Sequence, residues 1–307
     1  MKFIIVAPEY SENSGGIIAL HKLCHCINLL GGEAYLHPYV TEHQLSLKGL
    51  RRWIRERLRL KFSKYKTNPS FITPVVRRVK DISSHEIVVV YPEIVSGNPL
   101  GCVNRVRWFL HHPGYHTRCV NYLPGELYFS YGVFGKDFSI NDSKKSSLIL
   151  EVSHLFTEYY NVHSAGSKRD GSAYCIRKGK GRPITHKLDD SVLIDGKSHF
   201  EISEIFKKSK YFISYDLYTA YTWFAILCGC VPIVIPDEKL AKNEWYSDPI
   251  SSLGIAYGYD EVEVAISESE KAIENILKKE EKTLSNVALF LSEVSIFFFG
   301  EDYNAKN

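Results

Sequence analysis

The opening of the chain, residues 3–36, constrains the fold more than any other stretch. Phe3, Ile4, Ile5, Val6 and Ala7 form an unbroken apolar run stopped by Pro8. That is the pattern of a short strand covered on both faces, as in a parallel sheet. A polar loop carrying Gly15-Gly16 follows. Ile17, Leu20, Leu23, Cys24, Ile27 and Leu30 then recur at helical spacing, and Gly31-Gly32 close the helix before Ala34-Tyr35-Leu36 open another strand. A strand, a glycine loop, a helix and a second strand in this order predict a doubly wound α/β domain.

The alternation continues. Apolar runs at 86–91, 106–110, 127–131 and 148–152 read as further strands, and the small polar and charged stretch 164–172 reads as a linker. A second series follows: strands at 173–176, 191–195, 211–214 and 231–235, with helices at 200–208 and 219–228. A length of 307 residues suits two domains. The expectation is therefore an α/β protein of two Rossmann-like halves with parallel sheets. Residues 1–167 form the first, 168–290 the second, and 291–307 a tail that packs back on the first.

Composition excludes some classes. Hydrophobic residues at 45% and charged ones at 24% rule out a disordered or collagen-like chain. Seven Cys are scattered without the spacing of a disulfide framework, so reduced thiols in the cytoplasm are expected. The apolar run after Lys2 is too short for a signal peptide. No stretch of about 18 uninterrupted apolar residues exists, and Phe297-Phe298-Phe299 runs into Gly300-Glu301-Asp302, so no membrane span is expected. The net charge of +3 hides two extremes: residues 48–66 hold nine Lys/Arg and one Glu, and residues 237–307 hold seven Lys/Arg and fifteen Asp/Glu. The acidic end reads as solvated helices without chemistry.

In open α/β sheets ligands bind beyond the carboxyl ends of the strands, so the loops after strands hold the candidates. Gly15 and Gly16, at the start of the first helix, admit close backbone approach by an anion, or simply serve a turn. Arg177, Lys178, Lys180 and Arg182 place four cations around Gly179 and Gly181, a composition suited to a diphosphate. Asp216 and Thr219 precede a helix; Asp216 reads best as its cap, while Thr219 has a hydroxyl to offer a phosphate. His111 and His112 follow a strand before Pro113-Gly114, suited to proton transfer or to sugar hydroxyls. Glu9 follows the first strand. His21, Cys24 and His25 share a helical face, where core packing is the better reading than zinc; no metal motif is visible.

Several segments together resemble GT-B-fold glycosyltransferases, especially those of bacterial O-antigen and capsule biosynthesis. They are Phe212-Ile213-Ser214-Tyr215-Asp216, Tyr218-Thr219-Ala220, and Leu227-Cys228-Gly229-Cys230-Val231-Pro232-Ile233-Val234. With them go Gly15-Gly16, Leu29-Leu30-Gly31-Gly32, Val106 to Gly114, and Tyr174-Cys175-Ile176-Arg177-Lys178-Gly179. The resemblance implies two Rossmann-like domains facing a central cleft, an acceptor domain first and a nucleotide-sugar donor domain second. It implies a hexosyltransferase-type reaction with no cofactor and no metal, the nucleotide-diphosphate sugar being a co-substrate. Asp216 then contacts the donor sugar, and Gly15, Gly16, Arg177, Lys178, Lys180 and Thr219 serve the diphosphate. An inverting reaction needs a base, for which Glu9, His111 and His112 are candidates; a retaining one does not. The second acidic position of many retaining members falls here on Phe224, which cannot accept a ribose hydroxyl.

Three rivals remain. A nicotinamide oxidoreductase needs a third glycine that the Gly15-Gly16 loop lacks. A nucleic-acid-binding protein would use the basic stretch, yet no recognised module appears and no nucleic-acid partner is expected. A non-catalytic GT-B relative stays open because of Phe224. On a helical wheel the basic stretch puts Leu50, Ile54, Leu58 and Phe62 on one side, with Trp53 beside them and Arg51, Arg52, Arg55 and Arg59 mostly elsewhere. This is either an ordinary surface helix or a basic amphipathic helix for an anionic membrane face, where lipid-linked glycan acceptors sit.

Overall fold

A computed structural model describes residues 1–39, 51, 54, 55, 58, 64–135, 137–140, 142–163, 168–238, 240–246 and 249–300. The chain divides into two compact units. One comprises Met1–His154 and the chain from Glu281 onward; the other is Leu155–Glu280.

In the first unit β1 (Lys2–Ala7), α1 (Gly15–Leu29), β2 (Glu33–Pro38), β3 (Ile87–Pro92), β4 (Asn104–Phe109), β5 (Leu127–Ser130) and β6 (Lys144–Ile149) build a six-stranded sheet in the order β2-β1-β3-β4-β5-β6. Every pairing is parallel. The run at 86–91 becomes β3, buried at all six positions, as two-faced coverage requires.

The second unit holds β7 (Ser172–Cys175), β8 (Ser191–Leu193), α2 (His199–Lys208), β9 (Tyr211–Ser214), α3 (Tyr221–Leu227), β10 (Val231–Val234), α4 (Lys242–Trp245), β11 (Ala256–Tyr257), α5 (Val262–Ser267) and the start of α6 (Ser269–Phe299). Its five strands run parallel in the order β11-β10-β9-β7-β8. Ser198 starts α2 with a capping box: its hydroxyl accepts from the Glu201 N–H, and the Glu201 carboxylate accepts from the Ser198 N–H. The two-sheet, parallel α/β architecture expected from the sequence is present. In both sheets the second strand lies on one side of the first and the third strand on the other. That is the topological switch point, where a crevice opens at the strands' carboxyl ends.

Three expectations change. The run 148–152 is not itself the strand: β6 ends at Ile149, and Leu150 and Val152, at zero and 1% exposure, pack into the core beyond the ladder. The acidic end is not all solvated. Val287, Phe290 and Val294 of α6 are fully buried in the first unit's core, Phe290 meeting the rings of Phe3 and Phe129. By length and composition α6 could cross a membrane, but its Thr283, Asn286 and Glu293 bond to Ser153, Glu151 and Ser146. These bonds tie α6 to the first unit. Finally, of the expected linker, residues 164–167 lie outside the described residues. Arg169 is no tether: its guanidinium donates to the carbonyls of Phe206, Ser209 and Cys228.

Of the basic stretch, Arg51, Ile54, Arg55 and Leu58 are helical and exposed, Ile54 at 44% and Leu58 at 52%. Arg52, Trp53 and Arg59, with Leu50 and Phe62, lie outside the described residues.

Candidate functional site

The second unit's switch point lies between β7 and β9. Arg177 follows β7 in a single 3-10 turn, Arg177–Gly179. Its Nε stands 3.9 Å from Oδ2 of Asp216, just beyond β9, and its guanidinium lies 4.8 Å over the ring of Tyr221, the first residue of α3. Arg177 is partly exposed while the Asp216 side chain is almost wholly buried. Asp216 does not cap α3, contrary to the sequence reading. The N-cap is Ala220, without a side-chain bond, and Oδ1 of Asp216 accepts from the Tyr218 N–H at 3.1 Å. Four residues, Leu217 to Ala220, separate Asp216 from the first residue of α3, and its carboxylate lies beside Arg177 and not at the helix start.

The cationic loop divides by role. Arg182 is structural, donating to the carbonyls of Tyr215, Ile235 and Pro236. Lys178 and Lys180 are exposed. Gly179 is required by packing: a β-carbon there would collide with the Tyr215 carbonyl oxygen. Thr219 is buried, and its Oγ1 accepts from the Tyr221 N–H at 3.3 Å. Phe224, at the expected second acidic position, belongs to the core, stacked on Tyr160 with centroids 4.3 Å apart.

The first unit's switch point lies between β1 and β3. Glu9 is half-buried in the loop after β1. Gly15 and Gly16 open α1, both with ordinary negative φ; a β-carbon would meet nothing at Gly15 and only ordinary contact with Leu110 at Gly16. Neither glycine is demanded by the fold, and the contact brings α1's first turn beside the end of β4. There His111 stacks on Tyr115 at 4.1 Å and on Phe134 at 4.8 Å, with His112 edge-on to Phe134 at 5.1 Å. A cavity of about 320 Å³ adjoins this ledge, lined by His112, Pro113, Val120, Val133, Asp137 and Phe138.

Sequence reasoning missed Glu93. It follows β3 at the switch point, is 6% exposed, and its Oε2 accepts from the Leu110 N–H at 3.1 Å. Burial lifts its carboxyl from the ordinary 4.5 to about 7, opposed by main-chain hydrogen bonds, including those of Leu110 and His111, and by the charge of Arg107. The signal was available: a lone carboxyl directly after a buried apolar run. The folded protein holds this proton through the interval in which the unfolded chain has lost it. Stability from Glu93 is therefore present at low pH and lost as pH rises through about 7. Glu93→Gln should flatten that decline in urea unfolding between pH 5 and about 8; an unchanged pH dependence would count against the buried proton.

The helical face of His21, Cys24 and His25 is core. Nε2 of His21 pairs with the Pro8 carbonyl, and Nδ1 of His25 accepts from the Ile72 N–H. Burial pushes the Cys24 thiol up and both imidazoles down. No cluster of three metal-ligating side chains occurs among the described residues.

No family model matches the chain, and no curated protein matches it. Solved structures do match. Sucrose-phosphate synthase from Thermosynechococcus elongatus overlaps 99% of this chain and 99% of its own at 8% identity, with a TM-score of 0.45. T4 phage BGT in complex with UDP-glucose overlaps 100% of both at 10% identity and 0.42. Acinetobacter baumannii MurG overlaps 95% of this chain and 100% of its own at 7% identity and 0.36.

Proposed function

We propose that the chain is a glycosyltransferase that moves a sugar from a nucleotide-diphosphate sugar to a glycan or lipid-linked acceptor in surface polysaccharide biosynthesis. The carrying observation is Arg177, a cation placed beyond a strand end at a switch point, backed by buried Asp216 and floored by Tyr221. A guanidinium with two exposed lysines beside it is matched to a diphosphate. As the sugar–phosphate bond breaks, charge grows on the leaving diphosphate and is stabilised by Arg177, with Lys178 and Lys180 at hand, while the sugar becomes oxocarbenium-like. Asp216 would face the donor sugar and Thr219 the phosphates. An inverting course also needs a base, for which Glu9, His111 and His112 are the candidates.

A second reading, a nucleotide-sugar binder without turnover, is favoured by the burial of Phe224 where an acidic residue would hold ribose. Screening nucleotide sugars by thermal shift, then assaying hydrolysis and transfer with each that binds, separates the two. Binding with turnover supports the transferase, binding alone the silent relative, and no binding by any nucleotide sugar removes both.

The same proposal gives the basic stretch with Arg51, Arg52, Trp53, Arg55 and Arg59 to an anionic membrane surface, at the inner face of the cytoplasmic membrane. Its support is that Ile54 and Leu58 are exposed together with Arg51 and Arg55, leaving apolar and cationic groups open at once. Cosedimentation with anionic but not neutral vesicles at low salt is expected; none with either sinks this part.

A further inference from the structure

Arg177 has a backbone conformation that a residue with a β-carbon rarely takes, with φ at +42°. Such a residue persists only where its surroundings hold it. Here the holder is Asp195, two residues beyond β8. Its Oδ2 accepts from the N–H of Arg177 at 2.9 Å and from the N–H of Ile176 at 3.2 Å. Two converging bonds to consecutive amides fix the peptide plane between them. The turn is closed on its far side by the Gly179 N–H, which donates to the Ile176 carbonyl at 2.7 Å, and by the wedge of Gly179 against Tyr215. Asp195 itself is anchored by its neighbour, since the Ile194 N–H donates to the Tyr174 carbonyl of β7 at 2.9 Å. With the main chain turned this way, the Arg177 side chain leaves the strand toward Asp216 and Tyr221. An extended Arg177 would send it elsewhere.

We infer that Asp195 is the positioning residue of the anion site: by clamping the amides of Ile176 and Arg177 it sets where the Arg177 guanidinium points. This rests on the reading of Arg177 as a diphosphate ligand. Asp195 acts through the backbone, so an acceptor oxygen is what matters and not its charge. Asparagine should serve; alanine should not.

The probe is inorganic pyrophosphate, which needs no knowledge of the nucleotide, titrated calorimetrically into the full chain. Asp195→Ala should weaken binding ~10- to 100-fold, as misplacement of a binding group by about an ångström does. Asp195→Asn should stay within about threefold of the parent, which guards against a mere folding defect. In an Arg177→Ala background, Asp195→Ala should add less than about twofold, because the group it positions is already gone. Undiminished binding in Asp195→Ala, or a full loss that persists without the Arg177 side chain, overturns the inference alone. If Arg177→Ala itself leaves binding unchanged, the diphosphate reading falls and takes this one with it.

Discussion

Replacing Glu126 by Ala is expected to cost the first unit about 3–5 kcal/mol, the usual penalty for removing one partner of a buried ion pair. Both side chains, Arg107 and Glu126, have zero exposure. The guanidinium grips the carboxylate with two bonds, Nε to Oε2 at 2.9 Å and Nη2 to Oε1 at 2.6 Å. Its remaining donors go to the Val95 carbonyl at 2.5 Å and the Gly97 carbonyl at 2.9 Å, and its plane lies over Tyr122 at 4.4 Å. Glu126→Ala leaves a permanent, fully buried cation without the carboxylate that grips it. Arg107 cannot escape by deprotonation. The double replacement Arg107→Met with Glu126→Leu should cost clearly less than the single one, because it removes the stranded charge. Urea unfolding followed by tryptophan fluorescence checks both; Trp108 is buried beside Arg107 in the chain. A single-variant loss below about 1 kcal/mol would mean that water reaches the pair. The loop that the pair holds at Val95 and Gly97 is also the one that sets Glu93 against Leu110.

Much of this architecture could be read from residue order, and the reason is burial on two faces. Strands β1, β3 and β10 are near-continuous apolar runs, and α1 shows its core stripe openly. The acidic end misled because charge outnumbers the signal there. Ala272, Ile276, Val287, Phe290 and Val294 fall at helical spacing and are all buried, yet the Glu and Lys between them dominate the composition. The run 148–152 misled for a different reason: apolar residues mark the core, and the core continues past the last ladder bond of β6. Candidate chemistry was legible only where residue type and strand end coincide, as at Arg177. Asp195 escaped, and Glu93 was passed over despite standing at a strand end, because a carboxylate's role depends on which amides converge on it. Leu110 is 17 positions from Glu93, and Arg177 is 18 from Asp195. Nothing local announces those meetings. Asp216 was noticed, but its reading as a cap fails, since its distance to the helix start is decided by how the loop turns.

The double variant Arg177→Ala, Lys178→Ala should lower nucleotide-sugar turnover ~100- to 1,000-fold, the scale for losing donors aimed at developing charge, while the protein stays folded. The two halves of that expectation have separate grounds. Neither side chain supports the core: Lys178 is exposed, and the Arg177 side chain is 31% exposed over Tyr221. Truncating Arg177 also leaves its amide free to keep its bond to Asp195. The cost to stability is then small, and the loss of turnover reports on the diphosphate alone. Arg182→Ala is the contrasting control. It strips donors from the carbonyls of Tyr215, Ile235 and Pro236, so it should lower the unfolding midpoint as well as activity. A cationic loop that bound no ligand would show no loss of turnover in the double variant. Undiminished turnover in the double variant would remove the diphosphate assignment. Loss of turnover together with a lowered midpoint would show instead that the cations hold the loop rather than the ligand.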